Sequence, residues 1–417
     1  MSAGSVSVEG AAQILRPPQD GLQHLRGAQI EGQTLEPGSL AVRDGSIASL
    51  EADPEAELAV DAGGCALIPG FVDCHTHLPF AGWREREYEM KLRGVPYEEI
   101  SRHGGGIAAS SRALRESTDA QVLAQAGELA AEMLASGTTT FECKSGYGLS
   151  REAELRALLL ARQLEAQATQ TTISTALLAH SIPDGYSADK WMDEVQAMMP
   201  EVLELGEVSA LDIFVESIAF TNRHLELMGE LAAAAGLALR CHVEQFASHR
   251  SVPVALAAGA RSVDHLSMIH PDDIPELAAA ACAAVLLPAA EFLGAEHRAP
   301  GRALLDAGAI VVLASDFNPG TAPVLSMPVV IGLGARLYGL SVREALAAAT
   351  LNAAWTLGLE RELGSLEVGK RADLVLLDSP AEMVAYRFGH NPVAMTFVAG
   401  EPVYVRDEAA AARLSRR

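Results

Sequence analysis

His75 and His77 stand two residues apart at the end of an apolar run, Ile68-Pro69-Gly70-Phe71-Val72-Asp73. In a β-strand, residues two apart leave the same face, so both imidazoles project together and can grip one metal ion. One such pair is a weak signal, but other histidines and carboxylates also follow short apolar runs. His180 follows Thr171–Ala179, His242 and Gln245 follow a run from Leu237, and Asp264-His265 follows Ser262. Ser315-Asp316-Phe317-Asn318-Pro319-Gly320-Thr321 follows a run from Ile310. Three neutral imidazoles and one carboxylate suit Zn²⁺ or iron with room left for a water, whose pKa the metal would lower. Tyr147 sits among glycines in Lys144-Ser145-Gly146-Tyr147-Gly148, where a ligand can come close. Glu216 follows the fourth run, with no lysine nearby. His24, His103, His224, His249, His270, His297 and His390 fall away from these runs and read as surface or helix-cap residues.

Such residues need a scaffold that gathers strand ends. From about 66 to 358 the pattern alternates strand and helix. Strands are expected to end at Asp73–His77, Thr138–Cys143, Thr171–Ala179, Leu211–Phe214, Leu237–His242, Ser262–His265, Ala284–Leu287 and Ile310–Ser315. Helical stretches are expected at Asp119–Leu134, Arg151–Gln167, Asn222–Ala235 and Ser341–Thr350. Eight such units predict an α/β fold, a (β/α)₈ TIM-like barrel, whose C-terminal strand ends carry the chemistry. Alternating residues around Asp44-Gly45 predict a hairpin. Short strands recur near the other end, at Ala372–Leu377 and Met395–Val405. The two chain ends, 1–65 and 359–417, are expected to pair into a small β-sandwich flanking a barrel of 66–358.

The chain has 417 residues, 49% of them hydrophobic and 20% charged, which is a globular composition long enough for a large core. A formal charge of −23 argues against nucleic-acid or anionic-membrane partners and favours solubility. Five scattered cysteines with no CxxC form neither a disulfide framework nor a zinc ribbon, so a reducing cytoplasm is expected. No basic-then-apolar leader is visible and no apolar run is long enough to span a membrane.

His75-x-His77, His242, His265 and Asp316 together resemble the amidohydrolase superfamily, and within it the imidazolonepropionase family of histidine degradation. The resemblance runs over most of the chain. Its specific parts are Asp73-Cys74-His75-Thr76-His77-Leu78 with Arg84 and Glu87, Tyr97 through Gly104-Gly105-Gly106-Ile107, Lys144–Leu149, Asp264-His265-Leu266, Leu286-Leu287-Pro288 and Asp316–Gly320. It implies hydrolysis of the cyclic amide of 4-imidazolone-5-propanoate to N-formimidoyl-L-glutamate. His75, His77, His242 and Asp316 would hold the metal. Arg84, Tyr97, Tyr147, His180, Gln245 and Thr321 would line the substrate, with Asn318 and Gly320 at its backbone-like end. Asp316 would move the proton, His265 would stabilise the oxyanion, and His180 would hold the ring. Two-metal relatives use a bridging lysine on strand four; its absence implies one ion per chain, Zn²⁺ or iron. A homodimer is implied as well. Some members carry a glutamate where this chain has Gln245, which puts in doubt a carboxylate base at that site. A heterocycle deaminase would share the metal residues, and a non-catalytic barrel would be expected to lose them.

Overall fold

The computed structural model describes residues 4–95, 97–294 and 296–417, apart from the side chains of Tyr97, Glu98 and Ser101. Eight parallel strands run in sequence order around one sheet: β1 (Phe71–Asp73), β2 (Thr138–Lys144), β3 (Thr171–Ala179), β4 (Val208–Val215), β5 (Ala238–Val243), β6 (Ser262–His265), β7 (Ala283–Leu286) and β8 (Ile310–Leu313). Strands buried on both faces read as near-continuous apolar runs, which is why these stretches were legible. The ring closes just past β1 and β8. Thr76 and Phe317 form a parallel bridge, the His77 N–H donates to Phe317 O at 2.9 Å, and the Ser315 N–H donates to Asp73 Oδ1 at 3.0 Å. This seam carries His75 and His77 on one side and Asp316 on the other, so closure itself sets their spacing.

Helices cover the outside. The helix Asp119–Ala135 begins at Thr118, whose hydroxyl accepts from the Gln121 N–H while the Gln121 side chain caps back. Val122, Ala126, Leu129 and Met133 recur at helical spacing and bury one face against Phe141 and Cys143 of β2. Each large side chain so buried contributes about 1.5–3 kcal/mol. Ser341 and Glu344 form the same reciprocal cap at the start of Val342–Ala348, and Ser150 accepts the Ala153 N–H at the start of Arg151–Glu165.

Both chain ends build a second, mixed sheet. The N-terminal part gives Ser5–Arg16, Thr34–Arg43, Ser46–Ser49, Leu58–Asp61 and Ala66–Pro69; the C-terminal part gives Leu374–Leu377, Val393–Val398, Glu401–Val405 and Leu414–Arg416. The Asp44-Gly45 turn joins two of these strands, with both residues at positive φ as a tight hairpin requires. The parts meet where Leu374–Leu376 pairs antiparallel with Leu67–Pro69. The expected sandwich is thus one continuous sheet wrapped on a common core that includes Val8, Leu40, Val60, Leu67, Leu376 and Phe397. The change from this sheet to the barrel falls at Gly70 rather than between residues 65 and 66, because Ala66–Pro69 is buried by pairing with the terminal strands. A side chain at Gly70 would sit 2.2 Å from Thr139 Oγ1, so only glycine lets the chain cross onto the barrel there.

Candidate active site and metal centre

The strand ends converge as the barrel rule requires. The ring centroids of His75 and His242 are 4.4 Å apart, those of His75 and His77 5.3 Å, and those of His242 and His265 5.4 Å. Asp316 Oδ1 lies 3.5 Å from His75 Nε2 and 3.3 Å from His77 Nε2. Donor atoms of His75, His77 and His242 lie within 4.8 Å of one another, as do those of His75, His265 and Asp316. Two carboxylates hold the rings from below: Asp264 Oδ2 is 2.6 Å from His75 Nδ1, and Asp212 Oδ1 is 3.0 Å from His242 Nδ1. Each carboxylate accepts a hydrogen bond from Nδ1–H, which keeps the proton on Nδ1 and leaves a lone pair on Nε2. Those two Nε2 atoms, with His77 Nδ1, are buried and have no hydrogen-bond partner. Orphaned buried nitrogens are costly unless something binds them. A divalent metal fits these residues.

Electrostatics supports the same reading. Burial holds His75 and His77 well below the usual imidazole range, reinforced by Lys144 for the first and by His242 for the second, so both rings are neutral. Burial brings His265 down to about 3. It also pushes the Asp316 carboxyl above its ordinary value, as suits a group that must accept a proton. His265 and Asp316 take positive φ (81° and 56°), unusual for residues with side chains. Strain of this kind gathers at functional sites.

Beneath the histidines lies a buried charge network. The Lys144 ammonium is 2.7 Å from Asp212 Oδ2 and 2.9 Å from Glu142 Oε2. Arg240 bridges Glu142 to Asp264, reaching Asp264 Oδ2 at 3.2 Å. Burial alone would raise the Asp212 carboxyl; His242 and Lys144 outweigh it and hold the carboxyl well below its usual range. Asp212, Glu142 and Arg240 were not singled out from the sequence. The available signal was polar residues interrupting apolar strands, such as Asp212 between Leu211 and Ile213.

A cleft opens above this centre. It is lined by His77, Arg84, Tyr147, His180, His242, Gln245, His265, Asp316, Asn318 and Thr321, by Ile107 at the end of the glycine motif, and by Phe214 and Phe246, which were not expected there. His180 stacks on His77 at 5.2 Å, and its Nδ1 donates to Gly146 O at 3.0 Å. The Tyr147 loop is held by the buried Glu154, which accepts the N–H groups of Gly146, Gly148 and Leu149. Asn318 lines the cleft, but its amide is spent on its own loop. It donates to Asp316 O and Thr321 Oγ1 and accepts from the Gly320 and Thr321 N–H groups. These bonds occupy both amide hydrogens and both carbonyl lone pairs, and they fix the shape of the loop. Gly320 lies against Arg84. The Tyr97 side chain lies outside the described residues. Among the histidines expected elsewhere, none lines the cleft. His224 and His270 cap helix starts, and His24 is half-buried with its ring edge-on against Trp355.

Gln245 stands in the cleft, whereas Glu244 turns away and accepts the N–H groups of His249 and Ser251 at 3.2 and 2.7 Å. Neither position offers the cleft a carboxylate. Gln245→Glu is therefore expected not to raise kcat tenfold at neutral pH, as steady-state kinetics would show; a larger gain would mean a base belongs there.

Residues 66–403 match the amidohydrolase family. The imidazolonepropionase of Rubrobacter xylanophilus is 43% identical over 90% of this chain and 93% of its own, and that of Cupriavidus pinatubonensis is 41% identical over 89% and 90%. Among solved structures, an adenosine deaminase from Xanthomonas campestris with bound zinc superposes with a TM-score of 0.69 over 97% of this chain and 95% of its own, at 19% identity. The guanine deaminase of E. coli gives 0.70 over 97% and 100%, at 16% identity. At those identities the likeness concerns the fold. The barrel, the histidine-rich centre at its mouth and the similarity over most of the chain agree, and the chain belongs to the amidohydrolase family, in its imidazolonepropionase branch.

Proposed function

We infer that this protein opens the ring of 4-imidazolone-5-propanoate with water, giving N-formimidoyl-L-glutamate, a step of histidine breakdown. The observation that carries the reading is the convergence of orphaned, neutral imidazoles and a buried carboxylate beside Arg84 in one cleft. In this proposal His75, His77, His242 and Asp316 hold one metal ion, zinc or iron. Such an ion supplies Lewis-acid chemistry, making water more acidic and polarising the ring carbonyl.

The chain's own residues do the rest. The substrate's ring lies against His180. That ring is neutral, because burial and the neighbouring His77 hold it well below its usual range. Its Nδ1–H donates to Gly146 O, so Nε2 is left to accept a ring N–H. The Arg84 guanidinium meets the propionate with its planar fork. Water adds to the ring carbonyl carbon, forming a C–O bond, and Asp316 takes the proton. His265, a neutral N–H donor, faces the developing oxyanion. As the ring C–N bond breaks, Asp316 returns the proton to the leaving nitrogen.

A ring-opening hydrolase keeps both ring nitrogens in its product. The metal-loaded protein is therefore expected to convert the substrate without releasing ammonia. Ammonia in proportion to substrate consumed would instead assign a deaminase. The homodimer and the cytoplasmic location implied by the resemblance and by the scattered cysteines belong to the same proposal; all five thiols are free and buried. No helix among the described residues is long and apolar enough to cross a membrane.

A further inference from the structure

Glu216 stands one residue past β4, and its side chain has no solvent exposure. Its carboxylate reaches the segment that follows β5. Oε1 accepts the Phe246 N–H at 2.7 Å and the Ala247 N–H at 3.2 Å. Oε2 accepts the Ser217 N–H at 3.2 Å and lies 3.1 Å from His249 Nε2. These contacts fill the lone-pair positions of both oxygens. Glu216 is not among the residues that line the cleft.

The segment so held presents Gln245 and Phe246 to the cleft. Glu216 grips the peptide N–H that directly follows Gln245. Glu244 ties the far end, accepting the N–H groups of His249 and Ser251. Glu244 has φ of 56°, so the chain leaves the strand direction just before Gln245. Past that point the sheet ladder no longer fixes the peptides. A charged acceptor shared by successive N–H groups replaces it, and such bonds are about twice as strong as neutral ones. The anchor is itself rigid. Val215 and Phe220 form a parallel bridge, the Glu216 N–H donates to Phe220 O at 3.1 Å, and Glu216 O accepts the Ala219 N–H at 2.9 Å.

We propose that Glu216 is a positioning residue for the substrate's ring. It clamps the peptide between Gln245 and Phe246 and so aims the Gln245 amide into the cleft, without touching substrate itself. The proposal deepens the reading of Gln245 as a substrate-lining residue and rests on it. A glutamine side chain has several free torsions, so its amide is well aimed only when the main chain beneath it is held. Without the carboxylate, the two N–H groups turn to water and the loop loses its tie to β4.

The test compares Glu216→Ala, Gln245→Ala and the double variant, with Glu216→Gln beside them. Hydrogen–deuterium exchange, read by mass spectrometry on peptides covering 244–249, needs no substrate. Glu216→Ala is expected to speed exchange at Phe246 and Ala247 by on the order of tenfold, and Gln245→Ala to leave it unchanged. Glu216→Gln keeps the bulk and one oxygen, so it is expected to follow the alanine variant more weakly. It decides the matter if the alanine variant does not fold. Steady-state kinetics on metal-loaded protein gives the second readout. Glu216→Ala is expected to raise KM for the imidazolone by on the order of tenfold, as loss of one aligned hydrogen bond does, with kcat within about threefold and metal content unchanged. In the Gln245→Ala background the same change is expected to move KM by less than about twofold. Unchanged exchange in both Glu216 variants overturns the clamp. A KM loss as large without Gln245 as with it, or a fall in kcat with KM intact, overturns its role toward substrate. Should the wild type not turn over the imidazolone at all, the functional reading fails, while the exchange comparison still decides the clamp.

Discussion

Asp316→Asn is expected to lower kcat by on the order of 10²–10⁴-fold while the protein stays folded and keeps its metal. Three observations lead there. The carboxylate stands at 3.3–3.5 Å from two of the metal-site histidines. Burial raises its proton affinity. Its backbone has φ of 56°, a conformation that asparagine adopts as readily as aspartate, so the exchange adds little strain. An amide can still lie beside the metal but cannot carry a proton from water to the leaving nitrogen. The check is kcat on protein whose metal content and circular dichroism match the wild type. A near-normal kcat under those conditions would show that the proton travels by another residue.

Lys144→Met is expected to destabilise the metal-free fold by about 3–5 kcal/mol, the cost of leaving buried charges without their partner. The Lys144 side chain has no solvent exposure, and neither do Glu142 and Asp212, which it joins. Burial and the neighbouring Arg240 work against the ammonium, yet Asp212 and Glu142 raise its pKa above the ordinary value, so it is charged in the fold. With the ammonium gone, two cations and three carboxylates become one cation and three carboxylates. Asp212 is also the group that orients His242, so metal affinity is expected to fall together with stability. Urea unfolding and a chelator competition measure the two effects. A stability loss under about 1 kcal/mol would mean that water or a shifted Arg240 already compensates the carboxylates.

The barrel was legible because its strands are buried on both faces and end at residues that do not belong in a core. His75, His77, His180, His242, His265 and Asp316 each break an apolar run, and the structure brings all six to one cleft or its floor. The residues that support them were harder to read. Asp212, Glu142, Lys144 and Arg240 stand inside strands, where one sequence offers no sign that buried charges from three different strands cancel each other. Lys144 was noticed for the glycine-flanked tyrosine that follows it, whereas its own role is to neutralise Asp212. Asn318 and Gly320 were assigned to substrate by type and position in a motif. Their surroundings are visible only in three dimensions, where the Asn318 amide bonds within its own loop and Gly320 lies against Arg84. The meeting of the two chain ends was foreseen from the hairpin at Asp44-Gly45 and its counterpart near Met395. The crossing at Gly70 was not, because Ala66–Pro69 is apolar enough to belong to either sheet.

The most direct measurement is the loss of the ultraviolet absorbance of 4-imidazolone-5-propanoate on mixing with the pure protein. The protein is first stripped of metal, then given zinc or iron in steps. The expected result is no decay above the spontaneous rate without metal, rising to a plateau at one equivalent per chain, with N-formimidoyl-L-glutamate as the product. A folded, metal-loaded protein that leaves the absorbance at its spontaneous rate would contradict the account.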